Sequence, residues 1–420
     1  MIEAVKGTRD ILPGEVERWQ HVEARAREVF ARFGFREIRT PIFEATELFT
    51  RGVGETTDIV AKEMYTFEDR KGRSLTLRPE NTAPVARALI EAGRFRGGEL
   101  HRLYYIGPMF RYERPQKGRT RQFAQIGVEA LGSDHPAVDA ETLQMLMQFL
   151  ASLGLAALEL QINSVGDDVC RPAYRERLVA ELRPRRDQLC ADCQRRLETN
   201  PLRCLDCKVE SDRAIMATVS VILDHLCAPC ADHFARVRAM LERLGVPHTV
   251  APRLVRGLDY YRRTTFEVVS SDLGAQSALL GGGRYDGLVQ ELGGPAVPGF
   301  GFAVGEDRLV MSLPPDRPGL QPVLDAFVVT LGEEAVAAGL EAAGRLRSAG
   351  RSVVLEPLPA KSLKAQLRRA NDLGARHVVI LGADEAARGI VTLKSMADGT
   401  QREIPAAQLV EALGEPAHVA

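Results

Sequence analysis

The segment LVRGLDYYRRTTFEV, residues 254–268, gathers groups that an ordinary strand does not need. Arg256 and Asp259 stand beside Tyr260 and Tyr261 in a stretch that otherwise alternates like sheet. A fixed guanidinium can hold an anionic ligand, and phenolic hydroxyls can hydrogen-bond a polar one. The segment is therefore a candidate site for a small charged ligand, and its chemistry depends on what the fold brings near it.

A second candidate is the charged segment MFRYERPQKGRTRQF, residues 109–123. A charge run is often only a solvated loop, but this one flanks a Pro/Gly turn between two apolar, strand-like segments. Arginine suits planar, bidentate recognition of phosphate. We therefore interpret the segment as phosphate-binding, with one acid, Glu113, among its basic residues Arg111, Arg114, Lys117, Arg119 and Arg121.

Two further motifs have simpler explanations beside the functional one. In LRPENTAPVAR, Glu80 and Thr82 lie where a predicted strand passes into a predicted helix. Thr82 could be only an N-cap, although capping explains less well the Arg-Pro-Glu before it. The glycine-rich segments LGGGRYDGL and GFGFAVG lack the P-loop ending and miss the dinucleotide spacing by one residue. Close backbone packing accounts for them, so P-loop and Rossmann nucleotide folds are not expected.

Six of the seven cysteines form CxxC pairs, and only Cys170 is left over. In a reducing compartment such pairs indicate metal or redox chemistry rather than structural disulfides. CxxC, ten residues and CxxC approach the spacing of a zinc ribbon, but a third pair leaves the ligand choice open, and some of these cysteines could be small buried hydrophobes. The paired residues are Cys190 and Cys193, Cys204 and Cys207, and Cys227 and Cys230.

Bulk properties limit the class of protein. A chain of 420 residues with 45% hydrophobic and 26% charged residues indicates a globular protein of two or three domains. No apolar run approaches the roughly 18 residues of a membrane span, and the N-terminus has no apolar signal segment, which favours the cytoplasm. The net charge of −1 gives no overall case for nucleic-acid binding, so phosphates must be held by local basic patches.

The elements that position these motifs follow from periodicity. Apolar residues at helical spacing predict an amphipathic N-terminal helix, and two strand-like segments flanking the arginine run predict an antiparallel hairpin. Cysteine pairs among charged helical segments indicate an inserted helical subdomain, and four prolines in 313–322 indicate a linker before a small α/β domain. The predicted ranges are a helix at 15–33, strands at 35–44, 100–113, 121–131, 157–165 and 254–268, a helix at 138–153, the insertion at about 166–250, and a final helix from about Pro405.

Together these segments resemble the histidyl-tRNA synthetase family of class II aminoacyl-tRNA synthetases. KGTRDILP resembles the N-terminal signature of that family, TPIFE motif 1, MFRYERPQKGRTRQF motif 2 and GFGFAVGEDRL motif 3. LVRGLDYY and GGGRYDGL resemble signatures particular to the histidine enzymes. The motifs occur in order along essentially the whole chain.

The resemblance implies an α+β catalytic domain, residues 1–320, with a mainly antiparallel class II synthetase sheet and the helical insertion. It implies a C-terminal α/β anticodon-binding domain at 321–420, dimerisation through motif 1, and ATP with Mg²⁺ as a substrate. The implied reaction joins L-histidine to tRNA(His) through histidyl-adenylate. The seven basic residues within 345–369, on a domain that is neutral overall, fit a surface that faces RNA.

The resemblance also implies roles for individual residues. The implied catalytic residues are Arg256 and Arg111, with Arg256 reaching the α-phosphate where related synthetases place a metal ion. The ATP site would contain Arg111, Glu113, Arg119, Arg121, Phe123 and Arg308. The histidine site would contain Glu80, Thr82, Arg111, Gln125, Glu129, Arg256, Tyr260, Tyr261 and Tyr285, and the tRNA contacts would be Arg114 and Gln116.

Two positions depart from the family pattern. Ala124 stands where the family has histidine in RQFHQ, and Asn81 stands where it has glycine in RPEGT. Both adjoin predicted pocket residues. Since side chains alternate along a strand, we expect Ala124 to face away from Gln125.

Two other functions compete with charging. One is a non-charging paralogue that acts as regulatory subunit of a histidine-biosynthesis phosphoribosyltransferase, but such paralogues usually lack the C-terminal domain and lose motif residues that this chain keeps. The other is a zinc-ribbon nucleic-acid-binding module, which explains 190–230 and leaves the arginines without a role.

Overall fold

The computed structural model describes residues 2–54, 57, 59–114, 118–256, 260–270, 278–314, 324–357 and 361–414. It divides the chain into two units, Met1–Asp316 and Arg317–Ala420, each with its own sheet. The predicted domain boundary at 320/321 lies outside the described residues and stays a prediction. No helix in the described ranges is both long and apolar enough to cross a bilayer.

The first unit is built on a large, mainly antiparallel sheet. Its strands are β1 (Arg36–Glu37), β2 (Phe43–Ala45), β3 (Tyr65–Glu68), β4 (Ser74–Leu77), β5 (His101–Phe110), β6 (Gln122–Leu131), β7 (Leu158–Ser164), β8 (Thr249–Val250), β9 (Arg262–Ser270), β10 (Ala278–Arg284) and β11 (Gly299–Gly305). Eight of them form one sheet in the order β1-β5-β6-β11-β10-β9-β7-β8. All pairs from β5 to β7 are antiparallel, and the outer strands β1 and β8 pair parallel. Strands β2, β4 and β3 form a separate small sheet.

Helices pack against both faces of the large sheet. The helices of the first unit are α1 (Val16–Arg32), α2 (Thr46–Val53), α3 (Thr82–Glu91), α4 (Pro136–Ser152), α5 (Arg171–Leu182), α6 (Ala191–Thr199), α7 (Glu210–Met216), α8 (Ala228–Arg243), α9 (Leu288–Glu291) and α10 (Glu306–Ser312). The predicted stripe of α1 is buried from Trp19 to Phe30. It packs with α4 against the sheet in the main apolar core, which confirms the predicted N-terminal helix.

The predicted hairpin is confirmed as β5 and β6, paired from His101↔Leu131 to Phe110↔Gln122. Side chains alternate across it. Ile126 and Val128 enter the core under α1 and α4, whereas Gln125 and Glu129 face the other side of the sheet. The arginine run therefore lies at the tip of a rigid support.

The predicted insertion is helical, from α5 to α8, but its last helix is not separate from the main body. Phe234, Val237 and Leu241 of α8 are buried in the same core as α4. The apolar face of α8 explains this packing, because it gives the helix a surface to bury against the sheet.

The second unit is a five-stranded mixed sheet with helices. Its strands are β12 (Leu324–Thr330), β13 (Val353–Leu355), β14 (Ala375–Leu381), β15 (Ile390–Ser395) and β16 (Gln401–Pro405), and its helices are α11 (Val336–Ser348), α12 (Leu363–Asp372), α13 (Ala383–Arg388) and α14 (Leu409–Ala412). The order is β13-β12-β14-β15-β16, parallel from β13 to β14 and antiparallel beyond. The predicted alternation of strands and helices is confirmed.

Two local predictions were wrong. The single strand expected over 35–44 is interrupted between β1 and β2, around Pro41, which cannot donate to a ladder. Strand β9 begins only at Arg262, so Arg256 precedes the sheet rather than lying in it. The final helix predicted from about Pro405 is confirmed, as a 3₁₀ turn at Ala406–Gln408 followed by α14. Strand β16 before it was not predicted, because this edge strand exposes most of its side chains and lacks the apolar alternation that marks a strand.

A buried arginine at the end of β10 ties the sheet to α4. The Arg284 side chain is fully buried, and its Nε donates to Asp139 Oδ1 at 3.1 Å. Its other nitrogens donate to Asp286 Oδ1 at 2.9 Å and to the Ser133 carbonyl at 2.7 Å. Burial raises the pKa of Asp139 to about 6 even with Arg284 beside it. Arg284 and Asp286 of GGGRYDGL are held by these contacts, and they therefore fix the position of Tyr285 between them.

We expect Arg284→Gln to lower the free energy of unfolding by about 3–5 kcal/mol, because it leaves the buried Asp139 without its cation. Denaturant unfolding of the full chain measures the loss. The control is Arg32→Gln, which removes an exposed partner of Glu28 on α1 and should cost about 1 kcal/mol or less. Equal effects of the two substitutions would contradict the assignment.

Candidate active site

A cavity of about 520 Å³ opens on the sheet face opposite α1 and α4, and it brings together most of the predicted site residues. Those that line it are Glu80, Thr82, Arg111, Glu113, Arg119, Phe123, Gln125, Glu129, Arg256, Tyr260, Tyr261, Tyr285 and Arg308. They come from α3, the hairpin, the segments around β9 and β10, and α10. Distant parts of the chain thus converge on one concave site.

Two predicted residues, Arg121 and Arg114, are not brought to the cavity. Arg121 does not line it; its guanidinium lies 3.9 Å from the centroid of the Tyr112 ring, and its Nη1 donates to the Lys6 carbonyl at 3.3 Å. Arg114 is exposed and also lies outside the lining. Gln116 falls outside the described residues. In this geometry Arg121 holds the hairpin tip to the N-terminal segment rather than facing the cavity.

The polar end of the cavity is organised by a buried carboxylate. Glu129 is 1% exposed; its Oε1 accepts a hydrogen bond from Thr82 Oγ1 at 2.7 Å, and its Oε2 accepts one from the Tyr285 hydroxyl. Desolvation raises the pKa of Glu129 to about 8, and the neighbouring Glu80 adds to the rise. The group is therefore ready to exchange a proton with a ligand near neutral pH.

Glu129 reaches this position because the residue paired with it on β11 is Gly301. A Cβ at Gly301 would overlap Glu129 Oε2 and the Val128 carbonyl oxygen. The carboxylate can lie flat against the neighbouring strand only where that strand has no side chain. Close packing against Glu129 therefore explains why residue 301 of the GFGFAVG segment is glycine.

Glu80, rather than Thr82, caps the start of α3, and Thr82 makes a different contact. The Glu80 carboxylate accepts from the backbone N–H groups of Thr82 at 2.7 Å and Ala83 at 3.0 Å, so it caps the start of α3. The Thr82 hydroxyl is thereby free to donate to Glu129. Burial raises the pKa of Glu80. Both side chains line the cavity beside the carboxylate of Glu129.

A cluster of tyrosines forms the wall next to Glu129. The ring centroids of Tyr260 and Tyr261 are 4.8 Å apart, and those of Tyr260 and Tyr285 are 5.7 Å apart. Burial raises the pKa of Tyr260 and Tyr285 well above the usual value, so their hydroxyls stay protonated as donors. The wall combines apolar faces with fixed hydroxyl groups, which suits a planar polar ring.

Arg256 is held over the glycine strand by a carboxylate. Its Nη1 lies 2.5 Å from Glu267 Oε1, and Glu267 pairs in register with Gly281 of β10. A Cβ at Gly281 would overlap the Arg256 guanidinium. Its Nε is buried and has no hydrogen-bond partner within the described part of the chain. The guanidinium is positioned by one acid and keeps an N–H for a ligand.

The remaining arginines lie on the hairpin and on α10. Arg111 Nε donates to the Pro79 carbonyl at 2.8 Å, and its guanidinium lies 5.3 Å from the centre of the Phe123 ring. Arg119 forms a 3.4 Å ion pair with Glu113. Arg308 Nη1 donates to the Ala278 carbonyl. These cations give one end of the cavity the charge that a polyphosphate needs.

Sequence reasoning missed several lining residues. Tyr105 of β5 is 2% exposed and packs across Gly127, with which it pairs on β6. The available sequence signal was the alternation of side chains along β5. Tyr104 packs in the core on the opposite face, so its neighbour Tyr105 faces the cavity. Glu267 lies within residues 254–268, but no sequence pattern identified it as the partner of Arg256. The insertion adds Arg195, Arg196 and Arg203 to the lining, and only the fold could reveal that these residues reach the cavity.

The two departures from the family pattern do not face the cavity. Ala124 lines a separate cavity of about 270 Å³ on the other side of the hairpin, as alternation predicted. Asn81 is buried, and its Oδ1 accepts from Thr40 Oγ1 at 2.6 Å. Arg78 supports the same corner by donating to the carbonyls of Thr40 at 3.0 Å and Pro108 at 2.9 Å. The Arg of Arg-Pro-Glu is thus a structural link.

Comparisons with known proteins show the family of this chain. A family model described as histidyl-tRNA synthetase matches residues 7–309, and one described as anticodon binding domain matches residues 325–415. The histidine–tRNA ligase of Solibacter usitatus is 55% identical over 405 residues, which cover 96% of this chain and 97% of that protein. The histidine–tRNA ligase of Geobacter metallireducens is 54% identical over 404 residues, with coverage of 96% and 97%.

Solved structures extend the comparison to the fold. The apo histidyl-tRNA synthetase of S. aureus superposes with a TM-score of 0.83 at 38% identity, covering 99% of this chain and 100% of that chain. A Bacillus halodurans structure described as an ATP phosphoribosyltransferase regulatory subunit/histidyl-tRNA synthetase gives a TM-score of 0.68 at 22% identity, covering 91% and 98%. That identity shows a shared fold alone. The expected class II fold with a C-terminal domain is confirmed.

The pKa of Glu129 predicts how stability changes with pH. The folded value of about 8 exceeds the ordinary 4.5, so between these limits the folded chain keeps a proton that the unfolded chain has lost. Stability therefore falls as pH rises through this window. We expect Glu129→Gln to gain about 1 kcal/mol per pH unit relative to the wild type between pH 5 and 8, with no further gain above. Urea unfolding at several pH values measures it, and parallel profiles for the two proteins would contradict the assignment.

Proposed function

This chain belongs to the histidyl-tRNA synthetase family, and we propose that its cavity ligates L-histidine to tRNA(His) in two steps. The observation that carries the proposal is one cavity with a cationic end formed by arginines and a polar end formed by Glu129 and three tyrosines. The first end suits ATP and the second suits an imidazole.

In the first step the carboxylate oxygen of histidine attacks the α-phosphorus of ATP. A bond from that oxygen to phosphorus forms, the bond to the bridging oxygen breaks, and pyrophosphate leaves with the electron pair. Two anions must approach each other, so a fixed cation lowers the barrier. We assign this role to Arg256, supported by its ion pair with Glu267 and its buried Nε, and assign Arg111 to the same phosphate and carboxylate.

The histidine side chain would occupy the polar end. Glu129, with its pKa of about 8, would share a proton with one imidazole nitrogen, and Gln125 and the tyrosines would fix the orientation of the ring. Glu80 and Thr82 would contact the α-amino group. An analogue without the ring nitrogens would leave the buried carboxylate unpaired, which gives discrimination.

ATP would lie along the arginines of the hairpin and α10. Phe123 would stack on adenine, and Arg119, Glu113 and Arg308 would hold the phosphates. ATP would enter with Mg²⁺, which neutralises phosphate charge and takes oxygen ligands from phosphates, water and carboxylates. Glu113 fits that need, since its carboxylate lines the cavity and is partly exposed. We keep Arg121 as an ATP contact and Arg114 and Gln116 as tRNA contacts on the resemblance to motif 2; Arg121 and Arg114 do not line the cavity.

In the second step a 3′-terminal hydroxyl of the tRNA attacks the carbonyl carbon of the adenylate, and AMP leaves. The second unit would bind the anticodon. Its predicted basic surface needs revision, because Arg351 is 6% exposed and lies beside Asp325. Of the exposed basic residues on α12, Arg369 forms an ion pair with Glu356, whereas Lys364 and Arg368 are one helical turn apart and are the better candidates.

We further propose a homodimer that works in the cytoplasm. The small sheet and its flank expose Ile42, Phe43 and Phe67, which are 44%, 53% and 46% accessible. Such apolar exposure beside the motif 1 segment suits a partner surface. Structural zinc in the insertion is also part of the proposal. The regulatory paralogue is not favoured, because relatives named histidine–tRNA ligase match almost the whole chain, anticodon domain included.

The role of Arg256 is tested by a double-mutant cycle with Gly281. Arg256→Ala should lower histidine-dependent ATP–pyrophosphate exchange by about 10²–10³-fold, the usual effect of losing a preorganised charge partner. Gly281→Ala should also lower exchange strongly, because its methyl group displaces the guanidinium. In the Arg256→Ala background the same methyl group should cost almost nothing.

Circular dichroism and gel filtration of each variant control for misfolding. If Gly281→Ala lowers exchange equally in both backgrounds, its effect does not pass through Arg256. Near-wild-type exchange by Arg256→Ala would remove the assigned role of the guanidinium altogether.

The role of the second unit is tested by ending the chain after Pro322. We expect pyrophosphate exchange to stay within a few-fold of the full chain, because the cavity is formed by the first unit alone. Charging of tRNA(His) should fall by more than tenfold, as lost anticodon contacts weaken binding of the tRNA. Unimpaired charging by the shortened chain would contradict an anticodon-binding role.

A further inference from the structure

Two groups of cysteine and aspartate side chains lie within the helical insertion. The first contains Asp167, Cys170, Cys227 and Cys230, and the second contains Cys190, Cys193, Cys207 and Asp212. In each group the potential ligand atoms all lie within 4.8 Å of one another. All seven cysteines are free, so no disulfide accounts for the clustering.

The spacing within each group fits a tetrahedral metal site. Zinc–sulfur bonds of about 2.3 Å imply sulfur–sulfur edges of about 3.8 Å. Cys190 Sγ and Cys207 Sγ are 3.9 Å apart, which is far beyond a disulfide bond. In the first group Cys227 Sγ lies 3.7 Å from Asp167 Oδ1, and Cys170 Sγ lies 3.5 Å from the same oxygen.

Local backbone geometry supports both groups as ligand sites. The backbone N–H of Cys193 points to Cys190 Sγ at 3.5 Å, and the N–H of Asp167 points to Cys170 Sγ at 3.4 Å. Backbone N–H groups in these positions can donate to the sulfur of a metal-bound cysteine. Cys190 and Cys227 are the residues that precede α6 and α8, where the helix dipoles also favour negative charge.

Burial supplies a second, independent argument. Asp212 is fully buried, and its partners are the backbone N–H of Cys190, the Ser211 hydroxyl and the thiol of Cys207. Within the described residues no basic side chain forms an ion pair with it. A buried carboxylate without a cation is costly, and a metal ion between Asp212 and the three thiol groups removes that cost.

We propose that the insertion is held by two structural zinc ions, one in each of these groups. Each ion takes three thiolates and one carboxylate, and each thiol loses its proton on binding. Zinc fits because soft thiolates and tetrahedral spacing select it over Mg²⁺ or Ca²⁺. The sites are closed by four protein ligands, so they stabilise the fold rather than bind substrate.

The ligand sets differ from those that the sequence spacing favoured. A zinc ribbon would join Cys190 and Cys193 to both Cys204 and Cys207, but Cys204 donates its thiol to the Cys193 carbonyl at 3.5 Å and lies outside both groups. Asp212 takes the fourth position. Cys170, the residue left over from the CxxC pairs, joins the third pair.

The two sites have separate structural roles. The first joins the segment before α5 to the start of α8, so it fastens together the two ends of the insertion. The second holds the start of α6, the helix that carries Arg195 and Arg196 to the cavity. The second ion therefore positions arginines at the active site while remaining outside it. This inference concerns the resting protein and does not require the proposed function to be correct.

The test is the metal content of the full chain, purified without chelator and measured by inductively coupled plasma mass spectrometry. We expect two zinc ions per chain. Cys230→Ser should retain one ion, Cys193→Ser should retain one, and the double variant should retain none. Cys204→Ser is the matched control and should retain two, because this cysteine belongs to neither group.

A spectroscopic measurement on the wild-type chain guards against misfolded variants. After exchange of zinc for Co²⁺ alone, two equivalents should bind and give the thiolate-to-cobalt absorption and the intense visible bands of tetrahedral cobalt. The proposal is overturned by a wild-type chain that binds neither metal, or by one that binds a single equivalent. Loss of an ion from Cys204→Ser would overturn the ligand set of the second site.

Discussion

The active site depends on side chains that lie flat against the floor of an antiparallel sheet. A charged or aromatic side chain can do so only where the strand paired with its own has glycine, and register decides where that is. Glu129 lies against Gly301 across β6 and β11, and Tyr105 lies against Gly127 across β5 and β6. Arg256 lies over Gly281, whose register partner is the acid that holds it, Glu267. A shift of one residue in any pair would turn these groups to the opposite face.

The same constraint links stability to function. The floor must be rigid, and the opposite face of the sheet provides rigidity through the apolar core with α1, α4 and α8. The buried Arg284 joins that core to the end of β10, directly before Tyr285. Burial of the Glu129 carboxylate costs free energy, since it raises the pKa of that group to about 8. The protein offsets that cost with hydrogen bonds from Thr82 and Tyr285.

Periodicity predicted the α1 stripe, the hairpin and the orientation of Ala124, and the family motifs implied thirteen of the residues that line the cavity. Those predictions worked because each depends on a local pattern or on a motif carried along the chain. What sequence could not supply depends on long-range register and packing: the partnership of Glu267 with Arg256, the capping by Glu80, and the cysteine groupings. Arg256 precedes strand β9 whereas Glu267 lies on it, and most of the insertion separates Cys170 from Cys227 in sequence. Polar edge strand β16 was missed because it lacks apolar alternation.

Histidine-dependent ATP–pyrophosphate exchange by the purified full-length chain, with the other amino acids as controls, tests the central claim most directly. The account predicts exchange with histidine alone, because Glu129 and its tyrosines leave no match for other side chains at the polar end of the cavity. Exchange with no amino acid, from a folded protein whose zinc content and secondary structure are intact, would contradict it. That result would show that a folded cavity of this geometry does not form histidyl-adenylate.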